Sequence, residues 1–229
     1  KDKAQVAQLQ AVGKRISAAV EQFCKDRGLP ADFQWEFNLI DDPQMVNAWA
    51  MPGGKIAFYT GIMPLCQNDT GIAVVMGHEI AHVIARHGNE RVSQGMLAQF
   101  GMQSVAAAMA KQPAATQQLV LTGLGMGAQY GVMLPFSRSH ELEADHIGLI
   151  VMAMAGYDPH YAKDFWVRMS QAGGGAPPEW ASTHPANTTR IKQIEDNLPE
   201  ALKYYKPTGS APAPKPAAKT TAAKPAPKK

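Results

Sequence analysis

Residues 77–87, with the sequence GHEIAHVIARH, contain two histidines four positions apart, His78 and His82, and Glu79 directly follows the first. On a helix, side chains four residues apart lie one above the other, about 40° apart around the axis. His78 and His82 can therefore present two imidazoles to one metal ion. Glu79 lies on the rim of the same face, where it can reach a water at the metal without being a ligand itself. The pattern predicts a metal centre with Glu79 as its general base.

The alternative for this segment is a surface helix with incidental histidines. Its remaining residues are mostly apolar, as Ile80, Ala81, Val83 and Ile84 illustrate, which indicates a buried helix. Burying two imidazoles and a carboxylate there without a partner would be unfavourable. The metal centre is therefore the better interpretation.

A catalytic zinc ion needs three protein ligands and an open position, so a third ligand must come from elsewhere in the chain. Residues 137–149, SRSHELEADHIGL, place Glu141 and Asp145 on one face of a second helix, whereas Glu143 points about 200° away from Glu141. We expect Glu141 to be the ligand, because Asp145 can then accept a hydrogen bond from the other ring nitrogen of a ligand histidine. Taken alone, the segment would be an amphipathic helix with a solvated acidic face. Beside the histidine pair, it predicts one zinc ion per chain.

The elements that carry these residues follow from periodicity and end signals. Alternating side chains predict strands at 33–40 and 55–60, the second fed by a Pro-Gly-Gly turn. Helical spacing predicts helices at 4–24, 69–87, 138–155, 159–171 and 185–197, and a pair of helices at 93–134 that is broken near Pro113. The fold class is α+β, a mostly helical body with a small sheet of few strands. Residues 93–134 form either a movable lid over the cleft or ordinary core helices.

Charge is distributed unevenly along the 229 residues, which carry a net charge of +3. Five lysines and no acid lie in residues 207–229, so the remainder of the chain is close to neutral and nothing argues for a nucleic-acid partner. We expect one folded domain at 1–206, which carries the metal centre, and a disordered Pro/Ala/Lys-rich basic tail at 207–229. The tail could bind an anionic surface. Cys24 and Cys66 are either one disulfide or two buried thiols.

Five segments, in chain order, resemble one known family: NAWAMPGG, HEIAHVIARH, FSRSHELEADHIG, GYDP and STHPANTTRI. They are similar to the gluzincin metallopeptidase family that includes HtpX, the CAAX prenyl proteases and the periplasmic BepA-like proteases. The resemblance spans roughly residues 5–200 and implies a zincin-like fold with Glu141 as third zinc ligand and Asp145 behind it. Because no membrane span is clear, the chain resembles the soluble bacterial branch. That branch implies a periplasmic or outer-membrane-associated location, with peripheral or lipid-anchored membrane association.

The resemblance also implies how the substrate is held. In that family the strand after the Pro-Gly-Gly turn is an edge that borders the active-site cleft and to which substrate adds as an extra strand. The implied substrate-binding residues are Lys55, Ile56, Ala57, Phe58 and Tyr59.

The same resemblance puts His184 near the zinc, either as a donor to the substrate oxyanion or as a fourth ligand that caps the metal at rest. Arg190 either positions His184 or binds the substrate backbone. A surface histidine in a helix-capping loop is the alternative for His184. No functional role is expected for the four remaining histidines: His87, His140, His146 and His160.

Together these observations predict a zinc-dependent endopeptidase that hydrolyses extended or misfolded polypeptides, with a role in envelope protein quality control. The rival class is a non-proteolytic zinc-binding scaffold or chaperone-like module with a permanently capped site. The sequence keeps every catalytic group, which favours the enzyme.

Overall fold

A computed structural model of the chain describes residues 2–129, 133–171, 180, 182, 184 and 188–207. Its helices form a body around one apolar core and match most of the predicted segments. They are α1 (Lys3–Asp26), α2 (Met63–Cys66), α3 (Asp69–Ile84), α4 (His87–Ala108), α5 (Ala114–Ala128), α6 (Leu134–Met154), α7 (Tyr161–Gln171) and α8 (Thr188–Ala201). The last predicted helix thus begins at Thr188, and Pro185 and most of the predicted tail, 208–229, lie outside the described residues.

The sheet has three strands among the described residues: β1 (Glu36–Ile40), β2 (Ala48–Met51) and β3 (Lys55–Tyr59). Their order is β1-β3-β2, with β1 parallel to β3 and β2 antiparallel to it. The sequence did not predict β2, a four-residue strand that shares its hairpin turn with β3. A mostly helical body with a small sheet confirms the predicted α+β class.

The prediction that Lys55–Tyr59 forms an edge strand is wrong. β3 is the central strand: it pairs along its whole length with β1 on one side and from Lys55 to Phe58 with β2 on the other. Its backbone groups therefore have partners within the sheet, and Ile56, Ala57 and Phe58 are buried. A substrate strand has no place beside β3. The strands with a free side are β1 and β2.

Helix α3 runs through the middle of the core and carries the histidine pair. Asn68 caps its start by accepting a hydrogen bond from the Gly71 N–H at 3.0 Å. The helix is buried almost continuously from Gly71 to Ala81. It packs against α6 at a point where Gly77 faces Gly148, and a β-carbon on Gly148 would lie 3.1 Å from the backbone of Gly77. Two glycines thus let the two ligand-bearing helices approach closely.

Helices α4 and α5 pack against each other and are largely exposed. His87, at the start of α4, is the only residue of the two helices that is buried in the described structure. For the described residues of the range 93–134, ordinary core helices are therefore the wrong interpretation. No described residue of that range lines the cleft discussed below. Within the described part of the chain, no helix is long and apolar enough to cross a membrane.

Candidate active site

Three side chains that the sequence selected as metal ligands meet between α3 and α6. His78 Nε2 lies 3.1 Å from His82 Nε2 and 3.3 Å from Glu141 Oε2, and His82 Nε2 lies 3.4 Å from Glu141 Oε1. Around a tetrahedral zinc ion with bonds of about 2.0–2.1 Å, neighbouring donor atoms are about 3.3 Å apart. The spacing of these three donors therefore fits zinc. In addition, Glu141 Oε1 is buried and has no hydrogen-bond partner among the described atoms.

His184 completes a group of four donors. Its Nδ1 lies 3.1 Å from His78 Nε2 and 2.9 Å from Glu141 Oε2, and the four candidate donor atoms all lie within 4.8 Å of one another. Its Nε2 lies 3.5 Å from Glu79 Oε1. His184 is therefore at the fourth corner of the donor set and is also next to the carboxylate predicted as general base.

The buried charges around the donors do not balance without a cation. Glu79, Glu141 and Asp145 are all buried, and Arg190 is the buried guanidinium that contacts two of them. With the carboxylates ionised, three negative charges face one positive charge. Buried charges are stable only when they are compensated, and a divalent cation would neutralise the remaining two.

Burial and the neighbouring charges also shift the pKa values of the donor side chains. Burial alone would lower the pKa of His78, but the neighbouring carboxylates of Asp145 and Glu141 outweigh it and raise that pKa to about 9. Burial would raise the pKa of Glu141, yet the contacts with His184 and His78 lower it. For His82, burial and the nearby charge of His78 lower the pKa. The carboxylates around the donor group thus favour positive charge there.

Asp145 lies behind His78, as the sequence predicted for the partner of a ligand histidine. Its Oδ1 is 3.0 Å from His78 Nδ1, although the N–H direction departs from a straight hydrogen bond. Arg190 donates to both oxygens of Asp145, from Nε and Nη2 at 2.7 Å each, and its Nη1 lies 3.0 Å from Glu141 Oε2. Burial raises the pKa of Asp145, but the charge of Arg190 outweighs this and lowers it.

The suggestion that Arg190 binds the substrate backbone is wrong. Its side chain is 3% exposed, its guanidinium lies 3.7 Å above the ring of Trp166, and its donors are engaged by Asp145 and Glu141. The buried guanidinium is therefore held by groups of the protein and is not presented to a substrate. Its role as a positioning residue agrees with the contacts, since it holds the carboxylate that His184 also touches.

Glu79 faces a cleft of about 700 Å3 that lies between the β2–β3 turn and the junction of α3 with α4. Ala50, Pro52, His82 and His184 are among the residues that line it. One oxygen of Glu79, Oε1, accepts a hydrogen bond from Trp180 Nε1 at 2.6 Å. This contact fixes the carboxylate beside the donor group, at the inner end of the cleft.

Residues 7–198 of the chain match the model of the family described as Peptidase family M48. This match covers more than four fifths of the 229 residues. The chain belongs to peptidase family M48.

Curated relatives agree with this assignment. The M48 chain is 39% identical over 180 residues to the mitochondrial metalloendopeptidase OMA1 of Schizosaccharomyces pombe, covering 75% of this chain and 49% of that protein. Identity to the protein of the same name from Saccharomyces cerevisiae is 34% over 199 residues, covering 84% and 55%. The β-barrel assembly-enhancing protease of Yersinia pestis is 30% identical over 182 residues, covering 77% and 37%. The M48 chain therefore spans about half the length of the yeast relatives it matches.

Membership of family M48 confirms the predicted enzyme class, a metalloendopeptidase, and the zincin-like fold. The donor group of the M48 chain is consistent with the zinc predicted from the sequence. The more specific resemblance to the bacterial branch is not decided by these matches, because identity is higher to the two mitochondrial proteins than to the bacterial one.

Two residues of the M48 site were missed by the sequence analysis. Trp180 lies 101 positions after the glutamate it contacts, between the predicted helices at 159–171 and 185–197. His87 was expected to have no role, yet its Nδ1 lies 2.8 Å from His82 Nδ1, and burial lowers its pKa. The apolar residues around His87 indicated that it is buried. Its contact with His82, however, exists only because the helix is interrupted between Ile84 and His87. His146 and His160 lie apart from the donor group and pair with acids on their own.

Proposed function

We propose that the chain is a zinc-dependent endopeptidase that binds one zinc ion through three side chains: His78, His82 and Glu141. The observation that carries this proposal is the triangle of donor atoms that lie 3.1, 3.3 and 3.4 Å apart, with Glu79 in the lining of the adjoining cleft. When bound, zinc supplies Lewis acidity, which polarises the scissile carbonyl and makes a water acidic enough to attack at neutral pH.

Glu79 is the proposed general base. Oε1 receives the Trp180 indole N–H, so the carboxylate is held in one orientation and Oε2 is left to take a proton from the attacking water. The same carboxyl group then delivers that proton to the leaving amine. Glu79 can do this without leaving its place because it is not part of the donor triangle.

His184 is proposed to cap the metal in a resting state. Its Nδ1 lies 3.1 Å from His78 Nε2 and 2.9 Å from Glu141 Oε2, which supports a fourth ligand better than an oxyanion donor. Substrate would have to displace the imidazole before a water could be activated. The alternative, donation to the oxyanion, requires the ring to turn away from the donors.

The proposed substrate is an extended segment of polypeptide that adds to β2. The Tyr59 N–H donates to the Asn47 carbonyl at 3.0 Å, and pairing alternates along an antiparallel ladder. The backbone groups of Ala48 and Ala50 therefore point away from β3, and Ala50 lines the cleft. On the same side, the Val46 carbonyl accepts from the Trp180 N–H at 2.9 Å. Recognition by backbone pairing would suit extended or misfolded chains of varied sequence.

Protein quality control is the biological role that this substrate class supports, and a bacterial envelope location is proposed with it. One relative is named a β-barrel assembly-enhancing protease, whereas the yeast relatives are named mitochondrial. We propose the envelope rather than the mitochondrion from the motif resemblance. Residues 207–229 are proposed to be a dispensable basic tail, since their composition supports no core.

Peripheral association with an anionic membrane is proposed through α4 and α5. Seven of the ten most exposed large apolar side chains of the described structure lie on these two helices: Val92, Met96, Leu97, Phe100, Leu119, Leu124 and Met126. The sequence has no acid between Glu90 and Glu141, and Lys111 lies in the turn between the helices. An apolar surface without negative charge is suited to an anionic bilayer.

Flotation with phosphatidylglycerol-containing vesicles tests the membrane proposal. Wild type should float, and L97S combined with F100S should remain at the bottom, whereas L202S, which alters an exposed leucine elsewhere, should float like wild type. Absence of flotation, with self-association of the wild type in gel filtration that the double substitution removes, would contradict it and assign the helices to a second copy.

Casein digestion tests the proposed enzyme against a non-proteolytic zinc scaffold. Zinc-loaded protein should cleave casein within the chain, stop when 1,10-phenanthroline removes the metal, and recover when zinc is returned. Fully zinc-loaded protein that leaves casein intact would favour the scaffold with a permanently capped site.

A further inference from the structure

His87 is in direct contact with the metal site although it belongs to a different helix from the donors of α3. Its Nδ1 lies 2.8 Å from Nδ1 of His82, and its Nε2 lies 3.2 Å from Oε2 of Glu143. The side chain of His87 is 2% exposed, whereas that of Glu143 is 57% exposed. The three side chains form a row that leads from a metal donor to the surface.

A break in the helix creates this contact. His82 and His87 are five positions apart, and on an uninterrupted helix their side chains would point about 140° apart around the axis. Helix α3 instead ends at Ile84, and Arg86 has φ 58° and ψ 29°, the left-handed region that residues other than glycine seldom adopt. Helix α4 begins directly afterwards at His87. The turn returns the His87 ring to the ring of His82, and strained backbone of this kind is commonly kept at functional sites.

The hydrogen bonds can run in only one direction once His82 serves as a ligand. A ring nitrogen that faces the metal carries no hydrogen, so His82 Nε2 is bare and its Nδ1 holds the hydrogen. Nδ1 of His87 must then be the acceptor of that hydrogen. The hydrogen of a neutral His87 lies on Nε2, which donates to the carboxylate of Glu143. Each nitrogen in the row has one role, and none is left without a partner.

His140 restrains the His87 ring from the side. The two rings stack with centroids 4.1 Å apart and planes 15° apart. Nε2 of His140 lies 3.0 Å from Oε2 of Glu90, on the first turn of α4. The stacked ring fills the space into which His87 would otherwise turn.

We propose that His87 is a positioning residue of the metal site, which selects the ligating tautomer and the ring orientation of His82, with Glu143 fixing His87 in turn. This inference rests on the proposed role of His82 as a ligand. The two ligand histidines are then supported differently: His78 has the carboxylate of Asp145 behind it, whereas His82 has a neutral imidazole. Outer partners of ligand histidines are worth about 10–100-fold in metal affinity.

Zinc dissociation constants, measured by competition with a chromophoric chelator, test the proposal without relying on activity. His87→Leu removes the acceptor, and His87→Asn has nearly the same size and shape but keeps an oxygen close to the position of Nδ1. We expect zinc affinity to fall about 10–100-fold in His87→Leu and to be largely restored in His87→Asn. His160→Leu, at an exposed histidine outside the site, serves as the control and should bind zinc like wild type.

Two results would overturn the proposal. Zinc affinity of His87→Leu within about twofold of wild type would show that the contact does not matter, and equal losses in the Leu and Asn variants would show packing alone. If His87→Leu does not fold, Glu143→Ala, at an exposed residue, provides the test instead. A loss of zinc affinity of about threefold or more would support the positioning role of His87, and wild-type affinity would overturn it. Failure of the proposed function is distinguishable, because His82→Ala would then also leave zinc binding unchanged.

Discussion

Gly77 and Gly148 face each other across the contact between α3 and α6, and a β-carbon at either position would be in unusually tight contact with the other helix. A β-carbon on Gly77 would lie 3.0 Å from the Gly148 carbonyl oxygen, and one on Gly148 would lie 3.1 Å from the Gly77 backbone. His78 directly follows the first glycine, and Asp145 precedes the second by less than one turn. The distance between the proposed metal donors of the two helices thus depends on both of these residues being glycine.

Gly148→Ala should therefore separate the helices and weaken zinc binding. We expect a loss of about 1–3 kcal/mol in the free energy of unfolding, measured in urea, together with a lower zinc affinity. Gly95→Ala is the matched control. It lies in α4 with nothing within 4 Å, and alanine there should stabilise the chain by about 0.5–1 kcal/mol. Equal effects of the two substitutions would contradict the account of the helix contact.

Local patterns were sufficient for the helices and for the donors, because helix periodicity places His78 and His82 on one face without any knowledge of the fold. The order of the strands was not accessible in this way. Whether β3 lies at the edge depends on a four-residue strand, β2, which has too few positions to show an alternating pattern. Strand order is a tertiary property, so β3 was predicted to be an edge strand although it is the central one.

Contacts made at a distance in sequence were likewise hidden. Arg190 was expected either to position His184 or to bind the substrate backbone, but two acids on α6 compensate its charge in the interior. The approach of His87 to His82 depends on the left-handed conformation of Arg86. The residue type does not predict this conformation, because arginine seldom adopts it. Such positions are where local and tertiary preferences differ, and here they surround the metal site.

Ala50→Pro should weaken substrate binding if β2 receives the substrate. Proline removes the N–H that points into the cleft but is tolerated on an edge strand, so the fold should persist. We expect KM for an extended fluorogenic peptide to rise with little change in zinc content or melting temperature. Ala50→Ser keeps the N–H and is the control. A KM for the proline variant equal to that of the serine variant would reject β2 as the substrate edge.

His184→Ala distinguishes the two roles of His184 by the sign of its effect. Removing a cap opens the fourth position of the metal, so turnover of casein at matched zinc occupancy should rise. Removing an oxyanion donor would instead lower kcat by about 10²–10³-fold, which would contradict the capping role. The measurement needs zinc content and turnover on the same preparation.

Cys66 should be unreactive in the folded protein. Its thiol is buried, and desolvation raises its pKa from 9.0 to about 12, the nearby Arg168 opposing this only in part. The fold therefore favours the protonated thiol, and this contribution to stability is complete below pH 9 and is lost as the pH rises from 9 towards 12. Iodoacetamide at pH 8 should modify Cys66 only after unfolding in urea, as followed by mass spectrometry. Rapid modification of the native chain would contradict the buried position.

The central claim, that Glu79 activates water at a zinc ion it does not bind, is tested most directly by Glu79→Gln. Zinc content by elemental analysis should equal that of wild type, because Glu79 lies outside the donor triangle, while kcat for casein should fall by at least about 10²–10⁴-fold. Glu195→Gln, at an exposed acid on α8, should leave both values unchanged. A fully zinc-loaded Glu79→Gln protein that cleaves casein at a rate near that of wild type would contradict the account.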